Sequence, residues 1–125
     1  MNRRWNVYVT RMLPEDVMAF LQENFEVEVN REDRPPTRAE LLENVKGKDA
    51  VLCQLNDTID DAVFAAAGPQ CKIFANYAVG FNNIDLAAAT RRGVVVTNTP
   101  DVLTDATADL AWALLFAAAR RLGAA

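Results

Sequence analysis

Five short apolar or β-branched runs, at residues 6–10, 25–29, 50–55, 72–76 and 94–97, alternate along this chain with five stretches of helical character. Strands joined through helices run parallel, because a parallel partner needs a crossover of a dozen or more residues, and such crossovers are right-handed. The alternation predicts an α/β fold, a doubly wound five-stranded parallel sheet. Among doubly wound arrangements we expect the flavodoxin-like order 2-1-3-4-5.

Local signals agree with this reading. In residues 14–24 the apolar Val17, Met18, Phe20 and Leu21 share a face, Pro14 suits a first helical turn, and Glu15 and Asp16 suit the positive end of the helix dipole. Residues 25–29 alternate apolar and acidic, the mark of an edge strand with one solvated face. Thr37 and Glu40 form a capping box for a helix that reaches Val45 and stops at Gly47. Residues 50–55 are nearly all apolar, as expected for a central strand covered on both faces. Shorter helices at 60–67 and 85–92 are closed by Gly68 and Gly93.

Composition removes several functions. A hydrophobic fraction of 51% over 125 residues supports one real core, and a net charge of −4 with scattered arginine pairs offers nucleic acid no basic stripe. No run approaches the roughly 18 apolar residues of a membrane span, and nothing near the start reads as a signal peptide. We therefore expect a soluble, cytoplasmic protein with neither nucleic-acid nor membrane partners. Cys53 and Cys71 lack CxxC spacing and the sequence has no histidine, so zinc binding is not expected and any His-dependent chemistry must come from outside this chain. The two thiols are expected to be free and buried.

In a flavodoxin-like order, ligands sit beyond the carboxyl ends of the strands. The loop after the first strand has no glycine to wrap a phosphate, and neither GxGxxG nor a Walker motif occurs. Asp57 follows the central strand, as a receiver phosphoacceptor would, but Thr10 and Arg11 stand where such a site needs an acidic pair. Asp57 is expected to bond its own turn, as are Asn82 and Asn83, with Asp85 capping the next helix. The loop 78–83 offers more: Gly80 permits a positive φ and close approach, leaving consecutive N–H groups that can hold a carboxylate. A plain turn glycine is the simpler alternative.

The last helix begins near Thr104 and Asp105, either of which can cap it, and is apolar on every side from Leu110 to Ala119. Such a helix must lie between two layers of protein. This sheet could be one; a second domain or a second copy of the chain would be the other. We expect a homodimer or swapped dimer that buries Leu110, Trp112, Leu114, Leu115 and Phe116.

At Ala78-Val79-Gly80, Asn83-Ile84-Asp85, Arg92-Gly93-Val94 and above all residues 97–111, from Thr97-Asn98-Thr99-Pro100 to Asp109-Leu110-Ala111, the chain resembles the D-isomer-specific 2-hydroxyacid dehydrogenases, in their glyoxylate/hydroxypyruvate reductase branch. The resemblance implies a two-domain NAD(P)H enzyme that reduces a small 2-oxo acid in the cleft between a flavodoxin-like substrate domain and a Rossmann domain. Residues 1–103 match the substrate domain and 104–125 an interdomain or dimerisation helix. The Rossmann domain, with the catalytic Arg, Glu and His, finds no match here. The family's substrate-carboxylate donors map to the N–H groups of Val79 and Gly80, Gln54 takes the place of a leucine that packs near the substrate, and Thr104 maps near the cofactor. On this reading the chain holds half a site and neither binds NAD or NADP nor turns over alone. The competing reading is a non-enzymatic, self-associating flavodoxin-like module.

Overall fold

The computed structural model describes residues 3–32 and 34–123. Along the chain run β1 (Asn6–Val9), α1 (Glu15–Asn24), β2 (Glu26–Val29), α2 (Arg38–Asn44), β3 (Ala50–Gln54), α3 (Asp61–Ala67), β4 (Ile73–Tyr77), α4 (Leu86–Arg92), β5 (Val95–Thr97) and α5 (Thr104–Ala119). The strands pair in parallel in the order β2-β1-β3-β4-β5, as the alternation predicts.

Strand parity divides the core in two. Tyr8, Val51, Cys53 and Phe74 face a layer made by α2, α3 and α4, where they meet Leu41, Val63, Phe64 and Ala88. Phe64 stands edge-on to Phe74, with ring centroids 4.9 Å apart. On the opposite face Val7 and Val9 pack with Leu13 and with Met18 of α1. Within α1 only Met18 is buried; Val17 and Phe20, expected on the same inward face, are exposed because this short helix covers little beyond β1 and β2.

That limited cover corrects the expectation for β3. Val51 and Cys53 are buried, but Ala50, Leu52 and Gln54 on the other side are only half-buried. Further along the same face Val95 is exposed. The apolar run was read as two-sided burial, whereas only α1 lies on this side and it sits toward β2.

Caps form where the side chains foretell them. Thr37 and Glu40 make both bonds of the capping box, and Asp85 accepts from the N–H of Ala88; Asp60, expected inside its helix, caps it instead and accepts from the N–H of Val63. Gly93 closes α4 at φ +66°, a conformation that penalises any side chain. At α5 the expected cap is absent: Thr104 and Asp105 lie inside the helix, and Leu103 precedes it without a side-chain bond. No side chain of α5 is buried, and Ala117 alone is half-buried. The sheet does not cover this helix, contrary to one arm of the sequence expectation. No helix among the described residues is long and apolar enough to cross a membrane.

Both cysteines are buried free thiols, and burial pushes Cys53 up to about 12 and Cys71 to about 11. On the surface, Arg34 grips Glu40 through two 2.8 Å bonds and holds its carboxyl at about 2, below the ordinary 4.5, with the N-cap contacts of Thr37 adding to the effect. Arg38 and Arg92 likewise lower Asp60 and Asp61. A carboxyl depressed on folding contributes stability above its unfolded value, and that contribution is lost as pH falls toward its folded value. Urea midpoints are therefore expected to drop between pH 5 and about 2.5. Glu40→Gln should show a smaller drop, and an equal one would remove Glu40 from the acid response.

Candidate functional site

The carboxyl ends of β1, β3 and β4 are tied together by side chains. The Thr10 hydroxyl donates to Asp57 Oδ2 at 2.6 Å, and the same oxygen accepts from the N–H of Gln54 at 2.8 Å. Both Thr10 and Asp57 are buried. Asp57 thus bonds its own turn, as expected, and also fastens the loop after β3 to the end of β1.

A second tie joins the loop after β3 to the loop after β4. Asn83 Nδ2 donates to the carbonyls of Gln54 and Asp57, at 3.1 and 3.0 Å, and pairs with the buried amide of Asn76 at 3.2 and 3.3 Å. The backbone continues the seam, with Ile59 N–H donating to Asn83 and Asp85 N–H to Ile59, both at 2.9 Å. Asn83 was read as a local turn former; it is a staple between segments more than 25 residues apart.

These ties hold the stretch Ala78-Val79-Gly80 in a defined pose. Thr99 N–H donates to the Ala78 carbonyl at 2.9 Å, Asn98 Nδ2 to the Val79 carbonyl at 2.8 Å, and Asn76 Nδ2 to the Gly80 carbonyl at 2.9 Å. Among the described residues no acceptor meets the N–H groups of Val79 or Gly80. Both residues are exposed, so a ligand can approach this turn. Unsatisfied, pre-oriented N–H groups are what an anion site without charged side chains requires.

Gly80 departs from expectation in one respect. It does not adopt a positive φ, and a Cβ placed on it would lie 3.4 Å from Asn82 Oδ1 and 4.0 Å from Leu55 Cδ1, both tolerable contacts. The glycine is not demanded by this backbone; the space above it is what a side chain would fill.

The other candidates are less uniform. Gln54 takes part through its backbone N–H and carbonyl, while its neighbour Leu55, exposed, brings an apolar side chain to within 4.0 Å of where a Cβ on Gly80 would lie. Sequence reading passed over Leu55, Asn76 and Asn98, because nothing local to them announces which loop they reach. Thr104 does come near the loop: with Leu103, Thr107, Ala108 and Ala111 it lines an open groove of about 500 Å³ whose remaining wall is Val79. This wall carries one hydroxyl residue pair and no Gly-rich turn, so it could border a nucleotide but lacks the N–H cradle that grips a pyrophosphate. Among the described residues no group of three His, Cys, Asp or Glu side chains could hold a metal ion.

Residues 7–122 match the family model described as D-isomer specific 2-hydroxyacid dehydrogenase, catalytic domain. A glyoxylate reductase of Thermococcus kodakarensis is 56% identical over 119 residues, covering 95% of this chain and 35% of that protein. The crystal structure of a protein from Thermus thermophilus superposes with a TM-score of 0.85 at 47% identity, covering 94% of this chain and 37% of that one. A 2-hydroxyacid dehydrogenase from Ketogulonicigenium vulgare superposes at 0.74 with 31% identity, covering 91% and 35%. The chain spans about a third of the length of the curated relatives it matches.

Proposed function

The chain belongs to the D-isomer specific 2-hydroxyacid dehydrogenase family, and from that premise we propose that residues 1–103 are a substrate-binding domain whose Val79-Gly80 turn receives the carboxylate of a small 2-oxo acid. The observation that carries this reading is the orientation of the turn: carbonyls tied inward, N–H groups open. Leu55 flanks the same space and suits the short carbon skeleton of a substrate such as glyoxylate. Thr104 borders the groove beside Val79, where the nicotinamide nucleotide of an NAD(P)H-dependent reduction would approach.

On this reading residues 104–125, whose helix is α5 (Thr104–Ala119) and whose last two lie outside the described residues, dock a neighbouring domain or a second copy. Reduction of a 2-oxo acid needs a held hydride donor and an acid for the developing alkoxide. Residues 1–125 contain no histidine and no Gly-rich nucleotide turn, so they are expected to bind the acid without turning it over. A purely self-associating module would have no use for outward N–H groups at the sheet's carboxyl edge.

Glycolate titrated into labelled protein is expected to move the amide signals of Val79 and Gly80 together, saturating in the millimolar range, about −4 kcal/mol. Gly80→Ala separates ligand glycine from turn glycine. Since the backbone tolerates a Cβ, its unfolding free energy in urea should stay within about 0.5 kcal/mol of the parent, while glycolate binding weakens at least about tenfold. Equal binding by the variant, or no amide shift in the parent, would sink the reading.

A further inference from the structure

We infer that Asn98 is a positioning residue for carboxylate binding and that the Phe81 N–H is a third donor beside those of Val79 and Gly80; this rests on the substrate-binding reading above. A trans peptide is planar, so its N–H points opposite to the carbonyl in the same plane. The chain contains no cis peptide among its described residues. Wherever a carbonyl is held, the following N–H is therefore aimed.

Three consecutive planes are held here. The Ala78 carbonyl is bound by Thr99 N–H, which aims Val79 N–H; the Val79 carbonyl is bound by Asn98 Nδ2, which aims Gly80 N–H. Because both acceptors turn toward the adjacent residues 98 and 99, both N–H groups turn away from that bend, on a shared side. The Gly80 carbonyl is bound by the buried Asn76, at 2.9 Å, so Phe81 N–H faces away from the end of β4. No acceptor among the described residues meets it.

The three clamps differ in origin. Thr99 supplies backbone, and Asn76 belongs to the Asn83 staple, so both are part of the fold. Asn98 is the one side chain that holds the turn without any other bond in this network. It also lies between β5 and α5.

The test compares Asn98→Ala with Asn98→Gln, which keeps an amide donor, by glycolate titration and by backbone ¹⁵N relaxation without ligand. In the parent, the amides of Val79, Gly80 and Phe81 should shift with one common saturation curve. Asn98→Ala should weaken binding about tenfold, the size of one lost hydrogen bond, and raise the mobility of Gly80 while melting as the parent does; Asn98→Gln should recover part of both. Parent-like affinity and order in Asn98→Ala would overturn the role of Asn98. A still Phe81 amide would remove the third donor. If the parent does not bind glycolate at all, the substrate reading fails, and the relaxation data alone decide whether Asn98 orients the turn.

Discussion

Asn83→Ala is expected to lose about 2–3 kcal/mol of folding stability, the cost of leaving buried polar groups without partners. Asn83 is a half-buried surface-loop residue by position, and a turn former of its type would ordinarily cost little. Its amide, however, is the donor to the Asp57 carbonyl at 3.0 Å and a partner of the buried Asn76. Truncation strips the Asp57 carbonyl of its only donor among the described residues and leaves Asn76 with one fewer partner away from water. Among the described residues only the backbone seam, with Ile59 N–H donating to the Asn83 carbonyl and Asp85 N–H to the Ile59 carbonyl, then joins the loop after β3 to the loop after β4. Urea denaturation should show the midpoint falling by about 1 M or more. Asn82→Ala, at an exposed residue, is the control and should stay within about 0.5 kcal/mol. If the two variants unfold alike, Asn83 is no staple.

The second large effect concerns α5. Leu110, Trp112, Leu114, Leu115 and Phe116 are each between 56% and 61% exposed, and Trp112 stacks on Phe116 at 5.9 Å rather than on the sheet. A contiguous apolar surface of this kind exceeds what a soluble monomer ordinarily shows. Full burial of a large apolar side chain is worth about 1.5–3 kcal/mol, so five of them can outweigh the several kcal/mol that association costs. At about 50 µM, well above a micromolar dissociation constant, the chain should sediment as a dimer or larger species. Trp112→Glu combined with Leu115→Glu should return it to a monomer. Because α5 buries no side chain of its own, the double variant should melt as the parent's sheet domain does. A monomeric parent with a formed helix would end the proposal that a second copy covers α5.

How much of this was readable beforehand follows from the range of each interaction. The five strands, their parallel sense and the caps at Thr37 and Asp85 depend on neighbours within four residues or on the alternation of periods, and the structure reproduces them. The failures have one physical form. Thr104 and Asp105 carry capping side chains, yet the helix starts a residue earlier than a cap at either would allow, since Leu103 occupies the turn. The apolar run of β3 reads the same whether one face or two are covered, because periodicity reports hydrophobicity and not which helix lies above it.

The stretch Ala78-Val79-Gly80 joins a local signal to a tertiary one. Its composition marked a place where N–H groups could meet an anion, but the mechanism offered for it, a left-handed Gly80, is not the one used. The turn is aimed by Asn76, Asn98 and Thr99, whose bonds to it span from 4 to 21 residues of sequence. The sequence by itself determined the order of elements and which loops leave the sheet's carboxyl edge, since local periodicity and short connections leave few alternatives. Only the tertiary structure decided which carbonyls are held, hence which N–H groups are free, and which face of the sheet stays open. Those depend on register and on side chains crossing between loops, and no pattern within one segment encodes where another segment will lie.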